Sequence, residues 1–415
     1  MCRIVAYKSL KKVYYKTPAS IEEIYRTRFQ EESAYHFEID IKQYGHQNAY
    51  PAFLCFTQEM FLLMERIYKS YEGFLYLVNS VPGVVLQQFS LLCIVDEVKS
   101  TNDIEGVRST RREIKEIIDG GGSRSSRLES VVQKYRGLLS KEEIAFETSR
   151  DIRKFYDEFA HSEVVRDNPR NELDGEIFRK DSVDVTSSTQ RTVHQGIFPE
   201  ERIIEEMEKA LCILHDEQMP ALIRVAVFHY FFAYIHPFYD GNGRTGRFIT
   251  TYFLGKHLHP LATIRLSVII KKNQKKYYRL FEETDSELNR GEMTFFTEEF
   301  MQFIAESMED TVRILTRKKE QLERYRQQIE AMNLEDELMR KLYYILLQAA
   351  LFYGQGITIQ EIKKLVRKSR ATIQKRLDKI PEKDLVKTKK RAIYYKINML
   401  LFRKEKAGTM KAQKV

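Results

Sequence analysis

The residues best able to do chemistry in this chain stand together between His236 and Arg247, and they read His-Pro-Phe-Tyr-Asp-Gly-Asn-Gly-Arg-Thr-Gly-Arg. A histidine can accept a proton near neutral pH, and an aspartate supplies the hard oxygen that a phosphate-bound magnesium ion prefers. Glycines let successive backbone N–H groups face one anion, and arginines three apart on a helix can both contact phosphate oxygens. This set of groups indicates a site for a nucleotide triphosphate.

These twelve residues match every fixed position of the Fic-family signature, His-Pro-Phe-x-Asp/Glu-Gly-Asn-Gly-Arg-x-x-Arg, so the chain resembles that family. The resemblance implies a protein adenylyltransferase, which moves AMP from ATP to a Ser, Thr or Tyr hydroxyl of a target protein or of itself. His236 would be the catalytic base, and Asp240 would hold Mg²⁺. The ATP phosphates would be bound by Gly241, Asn242, Gly243, Arg244 and Arg247. Some family members instead use UTP or CDP-choline, or transfer a phosphate, and the signature leaves this choice open.

A second motif lies upstream, where Thr101-Asn-Asp-Ile-Glu-Gly106 resembles the Fic inhibitory motif, Ser/Thr-x-x-x-Glu-Gly/Asn. In the family this glutamate ends an inhibitory helix and pairs with the second signature arginine, here Arg247. One guanidinium cannot fork onto a carboxylate and a γ-phosphate together, so Glu105 would restrain transfer. In some relatives such a glutamate also helps to remove the AMP. Taken alone, the hexapeptide is weak evidence, since such a sequence occurs by chance and is usually just a helix end capped by Gly106.

The elements that must position these residues are mainly helical. Apolar periodicity predicts helices over residues 128–164, 200–216, 220–235, 244–257, 271–287 and 293–332. Between two of them, β-branched residues in 182–186 and 192–194 predict a hairpin with a turn at 187–190, where the Fic family places its flap. A flap can hold a target segment as an added strand. The expected fold is therefore an all-helical Fic core with a small β-hairpin flap.

The C-terminal part, residues 336–398, reads as a winged helix-turn-helix domain. An apolar helix is followed by a capping box at Thr358 and Glu361, a third helix after Ser369, and a basic hairpin. Residues 361–415 hold 19 Lys or Arg against five Asp or Glu, a local charge of +14 in a chain of +9. This charge indicates duplex DNA as a partner of residues 358–396, while winged helices also serve as protein-interaction modules. The alternative function is therefore a DNA-binding regulator whose core senses nucleotide or modifies only itself.

Three domains are expected: an N-terminal helical region at 1–127 with the inhibitory motif, a Fic core at 128–330, and a winged-helix domain with a basic tail at 331–415. The glycine-rich stretch at 119–126 is either a hinge for the inhibitory helix or a plain connector. A homodimer remains open. Neither the target protein nor the signal that relieves Glu105 can be read from the sequence.

Composition limits the class of protein. The content of charged residues, 31%, and of apolar residues, 43%, is ordinary for a folded protein of 415 residues. Four scattered cysteines without a Cys-x-x-Cys spacing indicate neither a zinc site nor a disulfide framework. The uncharged stretch 74–95 is long enough to span a membrane, but Pro82-Gly83 predicts that it splits into two buried segments. With no apolar leader at the N-terminus, we expect a cytoplasmic protein without a membrane partner.

Overall fold

The structure is a computed structural model that describes residues 7–119, 128–186, 191–352, 356–389 and 392–402. Most of the glycine-rich stretch, the flap turn at 187–190, and Lys390 and Arg391 of the basic hairpin lie outside these residues. Two compact units are formed, one by Met1–Phe74 with Leu91–Thr311 and the other by Leu75–Ser90 with Val312–Val415. The first unit thus joins most of the expected N-terminal region, without residues 75–90, and most of the expected core.

The N-terminal elements combine short helices with a hairpin. Their bounds are α1 Leu10–Lys16, α2 Ile21–Phe29, β1 Ala34–Lys42 and β2 Ala49–Cys55. The two strands pair antiparallel, with Ala34 opposite Cys55 and Lys42 opposite Ala49. The expectation of a helical region at 1–127 therefore missed this hairpin. Alternating burial along β1 has the period of a strand with one face on a core.

Two long helices follow the hairpin, α3 Gln58–Ser80 and α4 Gly83–Ile104. The break between them lies at the predicted Pro82-Gly83, where proline removes a backbone donor and cannot continue the α3 hydrogen-bond ladder. Among the described residues, no helix is both long and apolar enough to cross a membrane. Helix α4 ends one residue before Glu105, and Gly106 adopts the left-handed conformation with φ +71°. Residues 101–106 therefore form a helix end, as the sequence predicts.

Helix α10, Ala221–Ile235, is almost wholly buried and packs against the helices that precede and follow it. Its lack of charge beyond Arg224, together with residues such as Val227, Phe228 and Phe232, explains burial on every side. The other α-helices between residues 111 and 330 are α5 Arg111–Ile118, α6 Glu129–Leu139, α7 Ser149–Tyr156, α8 Ser162–Asp167, α9 Glu200–His215, α11 Asn242–His257, α12 Pro260–Thr263, α13 Leu266–Lys272, α14 Gln274–Thr284 and α15 Thr294–Glu330, with a π-turn at Asp157–His161 between α7 and α8. The continuous helix expected at 128–164 is divided at 140–148, and the one expected at 271–287 is interrupted at Asn273.

The expected flap hairpin is present. Its strands are β3 Asp184–Thr186 and β4 Thr192–Gln195, which pair antiparallel with Val185 opposite His194. His194 is buried, and its Nε2 lies 2.6 Å from the carbonyl oxygen of Tyr234. This histidine therefore packs the hairpin onto the end of α10.

The second unit has its own core beneath a three-stranded sheet. Its elements are the later part of α15, α16 Glu337–Phe352, β5 Ile357–Thr358, α17 Ile359–Val366, α18 Arg370–Leu377, β6 Leu385–Lys389 and β7 Ile393–Ile397, in sheet order β5-β7-β6. Thr358 and Glu361 form the predicted capping box at α17. Ser369 Oγ accepts the Thr372 N–H at 3.1 Å and so caps α18. The elements thus follow in the order that the sequence predicts.

Candidate active site

The signature residues form a tight loop between α10 and α11. His236 caps α10 in the left-handed conformation with φ +54°, and Gly241 caps α11 with φ +82°. Between them, Phe238 is buried and its ring stacks on that of Tyr156 at 3.7 Å between centroids. Tyr156 also donates its hydroxyl to the Asp240 carbonyl oxygen at 3.1 Å. The loop is therefore fixed from its middle as well as from its two ends.

The imidazole of His236 has one committed nitrogen. Its Nδ1 lies 3.2 Å from the carbonyl oxygen of Ala233, an acceptor, so Nδ1 carries the proton of the neutral ring. Burial, with a smaller contribution from the nearby His194 and Arg179, lowers the pKa of His236 to about 3. The ring is therefore neutral at physiological pH. Its Nε2 is left as the nitrogen able to accept a proton.

Asn242 supports the loop with its side chain. Its Oδ1 accepts the Phe238 N–H at 2.9 Å, and its Nδ2 donates to the Phe238 carbonyl oxygen at 2.7 Å. Both functions of the amide are thus used inside the protein, and the residue is buried. The sequence predicts that Asn242 binds phosphate directly. In this arrangement its side chain holds the backbone of the loop, and that backbone would contact the phosphate.

Asp240 presents a carboxylate to solvent beside the helix start. One oxygen, Oδ1, accepts the Gly241 N–H at 2.5 Å, and the residue is otherwise exposed. Within the described ranges, no group of three or more His, Cys, Asp or Glu side chains forms a protein-only metal site. A single carboxylate suits magnesium, which is commonly held by one or two carboxylates together with substrate phosphates and water. Asp240 therefore fits the expected Mg²⁺ ligand.

The first signature arginine is held by a buried carboxylate. Arg244 Nη1 lies 2.6 Å from Glu163 Oε2 on α8, and only 2% and 1% of the two side chains are exposed. An ion pair taken this far out of water cannot lose one partner without a large free-energy cost. Glu163 thus fixes the orientation of Arg244 at the start of α11.

The second signature arginine joins the two motifs. Arg247 Nη2 lies 2.7 Å from Glu105 Oε1, while Nε donates to Thr101 Oγ1 at 2.9 Å and Nη2 donates to the Thr101 carbonyl oxygen at 3.1 Å. Arg247 is 1% exposed, but the Glu105 side chain is 28% exposed. The structure therefore brings Glu105 and Arg247 together as the resemblance implied, with the partner of Arg247 at a partly open helix end.

Other groups hold the end of α4 in this position. Tyr278 Oη donates to the Ile104 carbonyl oxygen at 3.1 Å, and Gln274 Nε2 donates to the same oxygen at 3.2 Å. Gly243 makes room for the contact, because a Cβ there would collide with the carboxylate of Glu105. The carboxylate thus occupies space directly above the first turn of α11, where the N–H groups that have no helical partner lie.

Several residues that shape this site were missed from the sequence. Glu163, Tyr156, Tyr278 and Arg179 belong to no motif, and each contacts the site only because segments distant in sequence pack together. Arg179 is fully buried and donates to the carbonyl oxygen of His236. No periodicity or spacing in one sequence indicates such contacts.

Comparison with known proteins agrees with this geometry. Residues 146–254 match the sequence profile described as the Fic/DOC family, so the chain carries a Fic domain. Proteins named protein adenylyltransferase Fic from Drosophila ananassae and Drosophila melanogaster are each 32% identical over 111 residues, which is 26% of this chain and 20% of theirs. A Fic family protein from Desulfovibrio desulfuricans G20 aligns with a TM-score of 0.51 and 19% identity, over 83% of this chain and 97% of that one. The last match is a likeness of fold.

Proposed function

We propose that this protein is an adenylyltransferase, which transfers AMP from ATP to a Ser, Thr or Tyr hydroxyl of a protein and is restrained by Glu105. The observation that carries the proposal is the ion pair between Glu105 and Arg247 at the start of α11, within a complete signature loop. Matches of 111 residues to proteins named protein adenylyltransferase Fic support it.

In this reaction His236 acts as the general base. Its Nε2 takes the proton of the target hydroxyl, whose oxygen attacks the α-phosphorus of ATP. A new phosphorus–oxygen bond forms to the target, and the bond to the β-phosphate oxygen breaks. Pyrophosphate leaves with the electron pair. Because the arriving triphosphate is negative, it favours the protonated imidazole and raises the pKa of His236 from its low value toward the working range.

The start of α11 provides the charge stabilisation. The unpartnered N–H groups of the first turn and the positive end of the helix dipole favour an anion there. Arg244 is already oriented by Glu163, and Arg247 becomes available once Glu105 withdraws. Asp240 would hold Mg²⁺, which when bound neutralises charge on the phosphates.

Glu105 controls access to this arrangement. While its carboxylate pairs with Arg247, the guanidinium cannot also bind the γ-phosphate, and ATP is kept from the pose that permits transfer. The partial exposure of Glu105 lets the carboxylate leave for water at lower cost than the buried Glu163 could. The same carboxylate, facing an AMP-modified target, could orient a water for removal of the AMP.

The test uses ATP labelled at either the α- or the γ-phosphate with Mg²⁺, and compares wild type, Glu105→Gly, and Glu105→Gly with His236→Ala. We expect α-label on the protein or on lysate proteins with Glu105→Gly and none in the double variant. Transfer of γ-label would identify a phosphotransferase instead. Absence of either label from every variant, despite ATP binding, would contradict transferase activity.

We also propose that the second unit binds duplex DNA. On α18 and β6, four exposed cations have no carboxylate within ion-pair distance among the described residues, namely Arg370 and Lys375 on α18 and Lys387 and Lys389 on β6. By contrast, Arg376 and Lys379 pair with Glu335 at 3.0 and 2.8 Å. Unpaired cations on an exposed helix and an adjoining strand favour contact with a phosphate backbone.

Fluorescence anisotropy with a labelled DNA duplex tests this second proposal. We expect affinity to fall steeply as salt rises, because each cation that neutralises a phosphate releases a counterion. Replacing the four unpaired cations by alanine should remove roughly four units from the slope of log affinity against log salt. A slope that is unchanged in this variant, or no binding at low salt, would argue for a protein partner instead.

A further inference from the structure

The end of α10 carries a set of contacts that the proposed reaction does not use. The last carbonyl groups of a helix have no partner inside it and need donors from elsewhere. Here four successive carbonyls, from Tyr234 to Pro237, lie at hydrogen-bonding distance from groups of a single segment, residues 179–197. His194 Nε2 lies 2.6 Å from the Tyr234 oxygen, and the Ile197 N–H donates to the Ile235 oxygen at 3.1 Å. Arg179 contacts the oxygens of His236 and Pro237. The flap segment is therefore the cap of the helix that ends in His236.

Arg179 makes most of these contacts. Its Nη2 donates to the carbonyl oxygen of His236 at 2.7 Å and to that of Ile197 at 2.8 Å, and its Nε donates to His236 at 3.0 Å. Its Nη1 donates to the carbonyl oxygen of Asp181, and its backbone N–H lies 3.5 Å from the oxygen of Pro237. One guanidinium thus ties the catalytic loop to the residues before β3 and after β4.

Burial of this guanidinium has a large free-energy cost. Arg179 is 0% exposed, and among the described residues no carboxylate lies within ion-pair distance of it. Burial lowers its pKa to about 10, so it still carries its charge at neutral pH. Carbonyl oxygens and the negative end of the α10 dipole are what stabilise it. A buried charge of this kind adds little to stability, so its geometry offers a better account of its presence.

The flap also approaches His236 very closely. A Cβ on Gly196 would collide with Arg179 Nη2 and would lie 3.0 Å from the Cβ of His236. Gly196 donates its N–H to the Val183 carbonyl oxygen at 2.9 Å, which continues the hairpin pairing beyond β4. The flap strands and the catalytic imidazole are therefore separated by one glycine and one guanidinium.

We propose that Arg179 is a positioning residue, which holds the His236 peptide in its left-handed conformation and fixes the flap in register with it. A target segment added to the flap as a strand would then present its hydroxyl at a constant distance from His236 Nε2. This proposal rests on the proposed transferase function, in which His236 is the base. Arg179 itself touches neither the nucleotide nor the hydroxyl.

Kinetics of Arg179→Met and Arg179→Lys, each in the Glu105→Gly background, test the proposal. Misplacement of a reacting group by about 1 Å costs on the order of 10²-fold in rate, so kcat of Arg179→Met should fall by about that factor. The KM for ATP should stay within about twofold, because Arg179 makes no phosphate contact. Guanidinium ion added to Arg179→Ala should restore part of kcat. Unchanged kcat, or equal losses in kcat and in ATP affinity, would overturn the positioning role.

Arg28→Met is the matched control. Arg28 is another largely buried arginine, paired with Glu292 at 2.8 Å near the N-terminus, so its loss lowers stability without touching the flap. We expect it to lower the melting temperature while kcat at a temperature where the protein is folded stays unchanged. A drop in kcat as large as that of Arg179→Met would show that lost stability alone explains the effect.

Hydrogen exchange gives a readout that does not depend on transfer. In folded Arg179→Met the amide of Ile197, which donates to Ile235, should exchange at least about tenfold faster, because the flap loses its link to α10. Amides of α9 should be unaffected. If Glu105→Gly transfers nothing, the proposed function fails, while faster exchange at Ile197 still supports the link. Unchanged exchange there would overturn it whatever the activity.

Discussion

The cations at the start of α11 and those on α18 differ in how they are held. Arg244 and Arg247 are almost fully buried, and each is paired with a carboxylate. Arg370 and Lys375 are exposed and have no carboxylate partner among the described residues. A buried charge must be paired or hydrogen-bonded, whereas an exposed one is already stabilised by water. The first arrangement suits one ligand in one pose, and the second suits a polyanion bound in many poses.

The difference also shows where regulation can act. A paired guanidinium can be freed by moving its partner. The partner of Arg247 is the carboxylate of Glu105, which lies at a partly exposed helix end. The unpaired cations of α18 have no partner of this kind to withdraw. The affinity of these cations for phosphates depends on the salt concentration instead, because counterions compete for the same phosphates.

The largest expected effect comes from replacing Arg247, the arginine that pairs with Glu105. In the Glu105→Gly background, Arg247→Ala should lower the rate of AMP transfer by about 10²- to 10³-fold, as loss of one charge-stabilising donor typically does. The rate of α-label incorporation measures this, and DNA affinity in the same preparation should not change. If transfer survives the substitution at full rate, Arg247 is only a structural partner of α4.

A smaller effect is expected where the end of α4 is anchored. Tyr278→Phe removes the hydroxyl that donates to the Ile104 carbonyl oxygen at 3.1 Å. A hydrogen bond is worth about 0.5–1.5 kcal/mol, so basal transfer by the otherwise wild-type protein should rise by about two- to tenfold. Tyr15→Phe, at an exposed position, serves as control. A basal rate equal to that of the control would mean that this contact does not hold Glu105 in place.

A matched pair of lysines sharpens the comparison on the DNA side. Lys375 is exposed and unpaired among the described residues, while Lys379 pairs with Glu335 at 2.8 Å. Lys375→Ala should reduce the salt slope of DNA binding by about one unit, and Lys379→Ala by clearly less. Both are read by anisotropy across a salt series. Equal slopes for the two variants would remove the distinction between paired and unpaired cations.

The smallest effect concerns a buried anion on α4. Burial raises the pKa of Glu97 from 4.5 to about 7, and both of its oxygens accept the Ser267 N–H at 3.1 and 3.2 Å. Because the pKa of Glu97 is higher in the folded than in the unfolded protein, its contribution to the free energy of unfolding is complete below pH 4.5 and is lost as pH rises through 7. Glu97→Gln copies the neutral form. The difference in melting temperature between this variant and wild type should be a few degrees more favourable to the variant at pH 8.5 than at pH 5. A gain that does not grow with pH would contradict the raised pKa.

Much of the local structure could be predicted from the sequence because its signals are local. Proline and glycine at 82–83 end α3, Thr358 and Glu361 form their capping box, and alternating residues form the flap strands. The hairpin of β1 and β2 had such a signal, because Phe37, Ile39 and Ile41 alternate with charged residues in β1, and it was overlooked. These elements depend on residues within a few positions of one another.

The supporting contacts of the site could not be predicted in this way. Glu163 meets Arg244 because α8 packs against α11, and Arg179 meets His236 because the flap closes the end of α10. The side chain of Asn242 was expected to face a phosphate but is used by the loop itself. Such pairings are decided by tertiary packing, which a single sequence does not encode in any fixed spacing.

The proposed function requires that Glu105 restrain a site that is otherwise complete. The initial rate of α-phosphate incorporation from ATP, measured for Glu105→Gly and for wild type at equal concentration, tests it. We predict a rate for Glu105→Gly at least about tenfold above that of wild type, since an ion pair with a buried arginine must otherwise be broken for each turnover. Equal rates in the two proteins would contradict the account.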